Sequence, residues 1–327
     1  MTDAPLGHAP EDVPPAPSVV AIGVFDGVHA GHRAVLAHAA GVAADRGVRT
    51  VAVTFDRHPM AVVRPEAAPA LLQPLRARVA ALRAAGADEV VVLTFDESFS
   101  RLTPEAFVDR VLVGPLRAVH VVVGANFRFG HRAAGDVDAL ATLGEARGFT
   151  VDGLDLLADA ADVVSSTRIR DAVARGDVVA ASEALGRPFE LEGEVVHGEG
   201  RGRTIGVPTA NVAPAAGLLV PAGGVYAAWA RVVVDADGAP LDEPPAPAVV
   251  NIGTRPTFDG VGVSVEAHLL DTDRDLYGST LALAFVARLR DERRFDGVED
   301  LVAQIHADVD AARGVLDPGS ATQRHDG

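Results

Sequence analysis

Cysteine is absent from the sequence. Without thiols the chain cannot form disulfides, use a thiolate nucleophile or build a zinc site from cysteine ligands. A reducing compartment is the simplest setting for such a chain, so we predict a cytoplasmic protein.

Lysine is absent as well, so all 29 basic residues are arginines. A Walker A loop binds phosphate through its lysine, and this route to ATP binding is therefore excluded. Any nucleotide phosphate must instead be held by arginine, histidine, backbone N–H groups, hydroxyls or a metal ion.

The sequence also has no long hydrophobic run and no excess of positive charge. No apolar stretch reaches the roughly 18 residues that a membrane-spanning helix needs, and Met1–Pro17 lacks the basic and apolar regions of a signal peptide. The formal net charge of −16 disfavours nucleic-acid backbones and anionic membranes as general partners. We therefore predict no nucleic-acid partner and no membrane partner.

A length of 327 residues favours two domains over one. The composition of residues 1–17 and 316–327 predicts a disordered tail at each end. Between the tails the rhythm of the sequence changes near Leu185–Pro188, and we place the domain boundary there. The predicted domains are residues 18–186 and residues 187–315.

The first domain alternates short valine-rich runs with amphipathic stretches. The apolar runs are Val19–Val24, Val48–Phe55, Glu89–Leu93 and Val119–Val123, and the helical patterns are His32–Arg46, Leu75–Ala85, Pro104–Leu112 and Val137–Arg147. Short, continuous apolar runs are typical of buried parallel strands. The alternation predicts an α/β fold with a doubly wound parallel sheet, whose ligands bind beyond the carboxyl ends of the strands.

In the second domain, strands follow one another with Gly, Pro and Asp turns between them. The predicted strands are Phe189–His197, Val225–Val234, Ala248–Ile252, Val263–Leu270 and Leu281–Leu289. Closely spaced strands of this kind predict a small antiparallel β-barrel. An amphipathic pattern over about Val298–Arg313 predicts a terminal helix.

A glycine-rich segment after the first strand is the most specific feature of the first domain. It reads Gly23-Val24-Phe25-Asp26-Gly27-Val28-His29-Ala30-Gly31-His32. Its glycines let the backbone approach a ligand closely, and the helix that follows offers unpaired N–H groups to phosphate. His29 and His32 are three residues apart, so both imidazoles can face one ligand. They can donate hydrogen bonds to the charge that develops on an α-phosphate during nucleotidyl transfer.

Two other interpretations of this segment stay open. Two histidines at this spacing also suit zinc, although the motif contains no obvious third ligand. A glycine-rich turn with surface histidines can also be purely structural. We favour nucleotidyl transfer over both.

The same segment resembles the signature of nucleotidyltransferases with an HxGH motif. It is most similar to the FMN adenylyltransferase module of prokaryotic bifunctional riboflavin kinase/FAD synthetases. Thr54–Pro59, Val123–Gly130 and Val164–Arg170 match that family in order. The resemblance implies catalysis by His29 and His32. It implies nucleotide binding by Gly23, Phe25, Asp26, Gly27, Gly31, Asn126, Arg128, Ser165, Ser166, Thr167 and Arg170, although hydroxyls at a helix start can also act as caps.

A second glycine-rich segment begins the other domain and ends with Pro208-Thr209-Ala210-Asn211. The Thr209 hydroxyl and the Asn211 carbonyl lie on the same side of an extended segment, and hard oxygen ligands suit Mg²⁺ bound with a nucleotide. The segment resembles the flavokinase fold, and the similarity continues through Asn251–Phe258 and Val265–Asp271.

The flavokinase resemblance also implies roles for single residues. Thr209 and Asn211 would hold the metal ion and ATP, and Gly202 and Arg203 would contact the nucleotide. Glu266 would be the general base for the 5′-hydroxyl of riboflavin. Without the surrounding motif, Glu266 would be interpreted as an exposed glutamate on a strand.

Together the resemblances imply a bifunctional enzyme of flavin cofactor synthesis. It would use Mg²⁺ and ATP to phosphorylate riboflavin to FMN, and would then transfer AMP to FMN to give FAD and pyrophosphate. Two alternatives stay open, an adenylyltransferase with a different acceptor and a flavin-binding sensor without catalysis. The sequence leaves the oligomeric state open.

Overall fold

The computed structural model describes residues 7, 9, 12–155, 164–198, 206–241, 243–257, 260–272 and 274–317. The chain divides into two compact units, Met1–Ser166 and Thr167–Gly327. Within the described ranges, no helix combines the length and the apolar character that crossing a membrane requires.

The first unit is built on a five-stranded sheet in which every neighbouring pair is parallel. The spatial order is β3-β2-β1-β4-β5. The strands are β1 (Ser18–Ile22), β2 (Arg49–Phe55), β3 (Glu89–Leu93), β4 (Ala118–Gly124) and β5 (Thr150–Leu154). Because the order reverses beside β1, the loop after this strand lies at the switch point where doubly wound sheets bind ligands.

Helices cover both faces of this sheet. They are α1 (Ala30–Arg46), α2 (Met60–Val63), α3 (Leu75–Ala84), α4 (Glu97–Ser100), α5 (Pro104–Phe107) and α6 (Val137–Arg147), with a π-helical turn at Val108–Val113 and 3₁₀ turns at Pro65–Ala67 and His131–Ala133. Thr103 caps α5 by accepting a hydrogen bond from the Ala106 N–H, as the Thr-Pro-Glu start indicates.

The core of the first unit has two layers, one on each face of the sheet. Along β1, Val20 and Ile22 pack into one layer, whereas Val19 and Ala21 pack into the other. This alternation follows from the strand period of two, and all four side chains are at most 2% exposed. The predicted α/β fold with a parallel sheet is confirmed.

The predicted N-terminal tail needs correction at its inner end. Val13 is 3% exposed and belongs to the core layer that contains Val20. The Arg49 guanidinium donates to the carbonyls of Pro14 and Ala16 at 2.6 and 3.4 Å. Val13 and the carbonyls of Pro14 and Ala16 therefore tie this segment to the sheet unit, which its proline-rich composition does not reveal.

The second unit is a closed antiparallel barrel with the strand order β10-β7-β6-β11-β8-β9. Its strands are β6 (Phe189–Val196), β7 (Ala210–Pro214), β8 (Gly224–Val234), β9 (Ala246–Thr257), β10 (Gly260–Leu269) and β11 (Thr280–Arg290). The predicted barrel is confirmed. Closure satisfies the backbone groups that an open sheet would leave at its edges.

Three helices accompany the barrel, and they shift the boundary between the units. They are α7 (Ser166–Ala174), α8 (Val178–Leu185) and α9 (Val298–Leu316). Contacts of α8 are with β6 and β11, through a face on which Val178, Ala181 and Leu185 are buried. The compact units accordingly divide after Ser166, earlier than the predicted boundary at Leu185–Pro188.

The terminal helix is confirmed, and it extends slightly beyond its predicted end. It contacts β8, β9 and β11. Leu316 is 6% exposed and packs in the same cluster as Ala312 and Val225. Leu316 therefore belongs to the packed barrel unit and not to the predicted tail, while residues 318–327 lie outside the described residues.

Candidate active sites

The loop that joins β1 to α1 holds a backbone conformation that side chains disfavour. Gly27 has a φ of 90°, but Phe25 and Val28 also have positive φ values, 53° and 41°. A β-branched residue such as Val28 is rarely found there, and a strained position costs about 1–3 kcal/mol. Strain of this kind persists only where surrounding contacts hold it, and it is concentrated at functional sites.

Several hydrogen bonds hold this loop. The Val24 carbonyl accepts from Thr54 Oγ1 and from Arg78 Nη1, both at 2.9 Å. The Asp26 carboxylate, on a residue that is 2% exposed, accepts from the Leu72 N–H at 3.0 and 3.1 Å. The Asp26 carbonyl accepts from the Ser166 hydroxyl at 2.8 Å.

The loop delivers His29 and His32 to the start of α1. His29 is the N-cap residue and is 6% exposed. The two imidazoles stack with their centroids 3.7 Å apart and their planes at 22°, and Phe25 meets His32 edge-on at 5.2 Å. A Cβ atom at Gly31 would come within 3.2 Å of the His29 ring. The structure thus brings together the predicted residues Phe25, Gly31 and both histidines.

Burial and neighbouring charges favour the neutral form of His32, which can donate one hydrogen bond and accept another. Burial lowers the pKa of His32 well below its usual value, and the neighbouring His29 and Arg33 lower it further. His32 Nδ1 is buried without a hydrogen-bond partner among the described residues. A neutral imidazole beside the N-terminal end of a helix can donate one hydrogen bond to a phosphate oxygen, where the helix dipole also favours negative charge.

The remaining residues predicted to bind nucleotide are placed differently. Asn126 is exposed just after β4. Arg128 forms an ion pair with Asp136 at 3.0 Å, so its charge is already matched. The Ser166 hydroxyl hydrogen is used in the bond to Asp26, so Ser166 holds the loop. Thr167 and Arg170 continue α7 in the second unit.

Arg78 is a site residue that the sequence interpretation missed. It is 0% exposed, and burial lowers its pKa, while Asp26 and Asp56 act in the opposite direction. Its position was visible in the sequence, because Arg78 shares the buried helical face of α3 with Val79 and Leu82. An arginine on an apolar face predicts a buried partner, and that partner is the Val24 carbonyl.

In the barrel unit, strand pairing brings the predicted kinase residues together. Glu266 on β10 lies directly opposite Asn211 on β7 and Asn251 on β9. Directly opposed residues on antiparallel strands have Cβ atoms about 4.5–5.5 Å apart. A Cβ atom at Gly198 would clash with the Asn211 amide, so a glycine is needed where the chain passes this side chain.

A cavity of about 360 Å³ opens in the same unit. Its volume is within the usual range for small-molecule sites. The rings of Tyr277 and His197 stack with their centroids 4.0 Å apart, and Tyr277 belongs to the lining. The lining consists of Val195, Pro208, Thr209, Ala210, Ala267, Leu269, Thr272, Arg274, Asp275, Leu276 and Tyr277.

Thr209 lines this cavity, whereas Asn211 and Glu266 do not. Along β10 the alternation puts Ala267 with the buried face and Glu266 with the half-buried opposite face. His268 Nδ1 lies 2.7 Å from the Pro208 carbonyl and positions the segment before Thr209. The other predicted contacts, Gly202 and Arg203, lie outside the described residues. Arg274 and Asp275 line the cavity and were not predicted.

Comparison with known proteins gives two family matches along the chain. The family model for FAD synthetase matches residues 12–168. The family model for riboflavin kinase matches residues 185–316. The two matches fall in chain order on the sheet and the barrel.

Curated relatives extend this similarity over most of the chain. A bifunctional riboflavin kinase/FMN adenylyltransferase from Pseudomonas fluorescens is 41% identical over 303 residues, covering 92% of this chain and 94% of the relative. The protein of the same name from Escherichia coli K12 is 38% identical over 306 residues, with coverages of 94% and 95%. The crystal structure of a macrolide-efflux protein from Streptococcus pneumoniae is similar to this chain, with a TM-score of 0.82 and 30% identity, covering 93% of this chain and 97% of that one.

Proposed function

The chain belongs to the bacterial bifunctional riboflavin kinase/FMN adenylyltransferase family, and from this premise we propose how its two units divide the chemistry. The chain phosphorylates riboflavin to FMN and adenylylates FMN to FAD. We assign FMN adenylylation to the sheet unit and riboflavin phosphorylation to the barrel unit. ATP, riboflavin and FMN are then its substrates.

For adenylylation, we propose that the β1–α1 loop binds the α-phosphate of ATP. A phosphate oxygen of FMN attacks the α-phosphorus, and the bond from this phosphorus to the β-phosphate oxygen breaks to release pyrophosphate. Donors that meet the developing negative charge accelerate such a step. His29 and His32 supply ring N–H groups, and the start of α1 supplies backbone N–H groups.

The stacked histidine pair on the strained loop is the observation that carries this assignment. Removing one oxyanion donor costs roughly 10²–10³ in rate, so His29→Asn should lose FAD formation by about that factor. The matched control is His131→Asn, because His131 is an exposed histidine of the same unit. The readout is FAD formed from FMN and ATP in single turnover. Unchanged FAD formation in His29→Asn would refute the assignment.

For phosphorylation, we propose that ATP enters the cavity lined by Thr209 and Tyr277, and that its phosphates extend past Thr209 to the strand face that carries Asn211 and Glu266. Thr209 and Asn211 offer a hydroxyl and an amide carbonyl, which are hard oxygen donors that would hold Mg²⁺. Glu266 lies opposite Asn211 and stays available as the base. The metal ion, when bound, neutralises the charge of the transferred phosphoryl group. Glu266 accepts the proton of the riboflavin 5′-hydroxyl as this oxygen attacks the γ-phosphorus and ADP leaves.

The cross-strand pairing of Glu266 with Asn211 supports this assignment. Glu266→Gln keeps the size of the side chain but removes the general base. We expect it to lower riboflavin phosphorylation while FMN adenylylation continues. Glu190→Gln, on another strand of the barrel, serves as control. Full phosphorylation by Glu266→Gln would show that another group does this work.

A further inference from the structure

Two histidines and an aspartate meet in the sheet unit, away from the β1–α1 loop. His38 comes from α1, His120 from β4 and Asp152 from β5. His38 Nε2 lies 2.7 Å from Asp152 Oδ2, and His120 Nε2 lies 3.2 Å from the same oxygen. One ligand atom from each side chain lies within 4.8 Å of the others.

The structure fixes the central member of this trio. The His120 side chain is 4% exposed, and its Nδ1 lies 2.6 Å from the Thr150 hydroxyl. Arg46 donates to the same hydroxyl at 3.1 Å and to the Val119 carbonyl at 3.0 Å. These contacts hold the ring with its Nε2 toward Asp152, in the way that a second layer of hydrogen bonds orients histidine ligands.

The buried His120 Nε2 has no hydrogen bond of good geometry among the described residues, although Asp152 is close. A buried ring nitrogen of this kind needs a partner. His38 and Asp152 are 40% and 42% exposed at their side chains, so a small ion can reach the trio from solvent. A nitrogen atom that is buried, oriented and reachable fits a ligand better than a packing contact.

We propose that His38, His120 and Asp152 form a binding site for a first-row divalent metal ion, with Zn²⁺ as the best fit. Two imidazole nitrogens and one carboxylate oxygen suit Zn²⁺, whereas Mg²⁺ prefers oxygen ligands alone. Water would complete a tetrahedral set. The ion would join α1 to strands β4 and β5.

This site is distinct from the histidine pair. His38 follows His32 by six residues, or about 9 Å along the helix axis, since each residue rises about 1.5 Å. Side chains share a helix face when they are three or four residues apart, as His29 and His32 are. His38 is six residues from His32 and therefore lies on a different side of the helix. The metal ion of the kinase reaction belongs to oxygen ligands in the other unit, so it does not account for this trio.

The test is Zn²⁺ binding to the metal-free, full-length chain, measured by competition with a chromophoric chelator. We expect His38→Gln and Asp152→Asn to weaken binding at least about tenfold, since even partners of ligands contribute 10–100-fold. Both positions are part-exposed, so the variants should fold, which circular dichroism can check. His131→Gln, an exposed histidine of the same unit, should bind Zn²⁺ like the original chain.

Two further measurements separate a metal site from a set of hydrogen bonds. Thr150→Val should weaken Zn²⁺ binding about tenfold or more by releasing His120. Co²⁺ should give the visible absorption of a tetrahedral site in the original chain but not in His38→Gln. Equal Zn²⁺ affinity in His38→Gln, Asp152→Asn and the original chain would overturn the proposal. Loss of binding only in His29→Asn would overturn it too, by assigning the ion to the stacked pair.

Discussion

The change Thr54→Val tests whether the hydrogen bonds to the Val24 carbonyl hold the β1–α1 loop in its working conformation. Thr54 is 0% exposed, and valine fills nearly the same volume without the hydroxyl. The Val24 carbonyl keeps its hydrogen bond from Arg78 at 2.9 Å. The change therefore weakens the anchoring of the loop but leaves the carbonyl with one partner. The strained residue Phe25 directly follows Val24, and Val28 lies three residues after Phe25. We expect both conformations to depend on this anchored carbonyl.

The size of the effect follows from the number of partners that remain. A net hydrogen bond contributes about 0.5–1.5 kcal/mol, which corresponds to roughly twofold to tenfold in the population of the competent loop. In the double variant Thr54→Val/Arg78→Met the carbonyl is buried without either donor. An orphaned group costs about 1–3 kcal/mol, so the double variant should lose more than the two single variants predict together.

The assay is kcat/KM for FAD formation, with riboflavin phosphorylation by the same chain as an internal control. Phosphorylation should stay constant across all three variants, because the loop lies in the sheet unit. If the double variant lost only the sum of the two single losses in kcat/KM, the two donors would not act through the same carbonyl. Equal loss of both activities would show general destabilisation and not a specific role of these hydrogen bonds in the loop.

Two further predictions concern charge. The pKa of His32 is lowered by burial, so the folded chain resists protonation where the unfolded chain accepts it, and the stability of the sheet unit should fall as pH drops below about 6.5. An NMR titration of labelled histidines, with His32→Asn for assignment, should show this ring titrating well below 6.5, and a value at or above it would contradict the structure. In the barrel unit, Asp308 pairs with Arg290 at 2.7 Å and is 6% exposed at its side chain. Asp308→Ala should destabilise the unit by about 2–3 kcal/mol, less than a fully buried pair because Arg290 is one-fifth exposed. The single tryptophan, Trp229 on β8, reports barrel unfolding, and a loss no larger than in the exposed control Asp310→Ala would contradict this value.

The sequence predicted both folds because their signals are local. Valine runs such as Val19–Val24 have the length and composition of buried strands, and the Gly and Asp turns of the second half separate strands too closely for helices. The histidine pair was also predictable, since spacing at a helix start determines which side chains face each other. The strand register added the pairing of Glu266 opposite Asn211, which no local pattern specifies.

Features that depend on distant partners were beyond the sequence. The Ser166 hydroxyl bonds to the Asp26 carbonyl, 140 positions earlier, and a helix cap and a loop anchor have the same sequence pattern. Val13 was assigned to a tail because proline and acidic neighbours dominate its segment, although one valine finds a place in the core. The compact units divide after Ser166, and the predicted boundary lies after α8, because the burial of α8 against the barrel depends on tertiary packing.

If the two sites are chemically independent, they act in sequence through FMN that is released into solution. The most direct test is a mixture of two variants, His29→Asn and Glu266→Gln, given riboflavin, ATP and Mg²⁺. Alone, the first should stop at FMN and the second should make almost no product. Mixed, they should convert riboflavin to FAD, because FMN released by one chain can be adenylylated by the other. A mixture that makes no more FAD than either variant alone would show that the two sites do not act independently through free FMN.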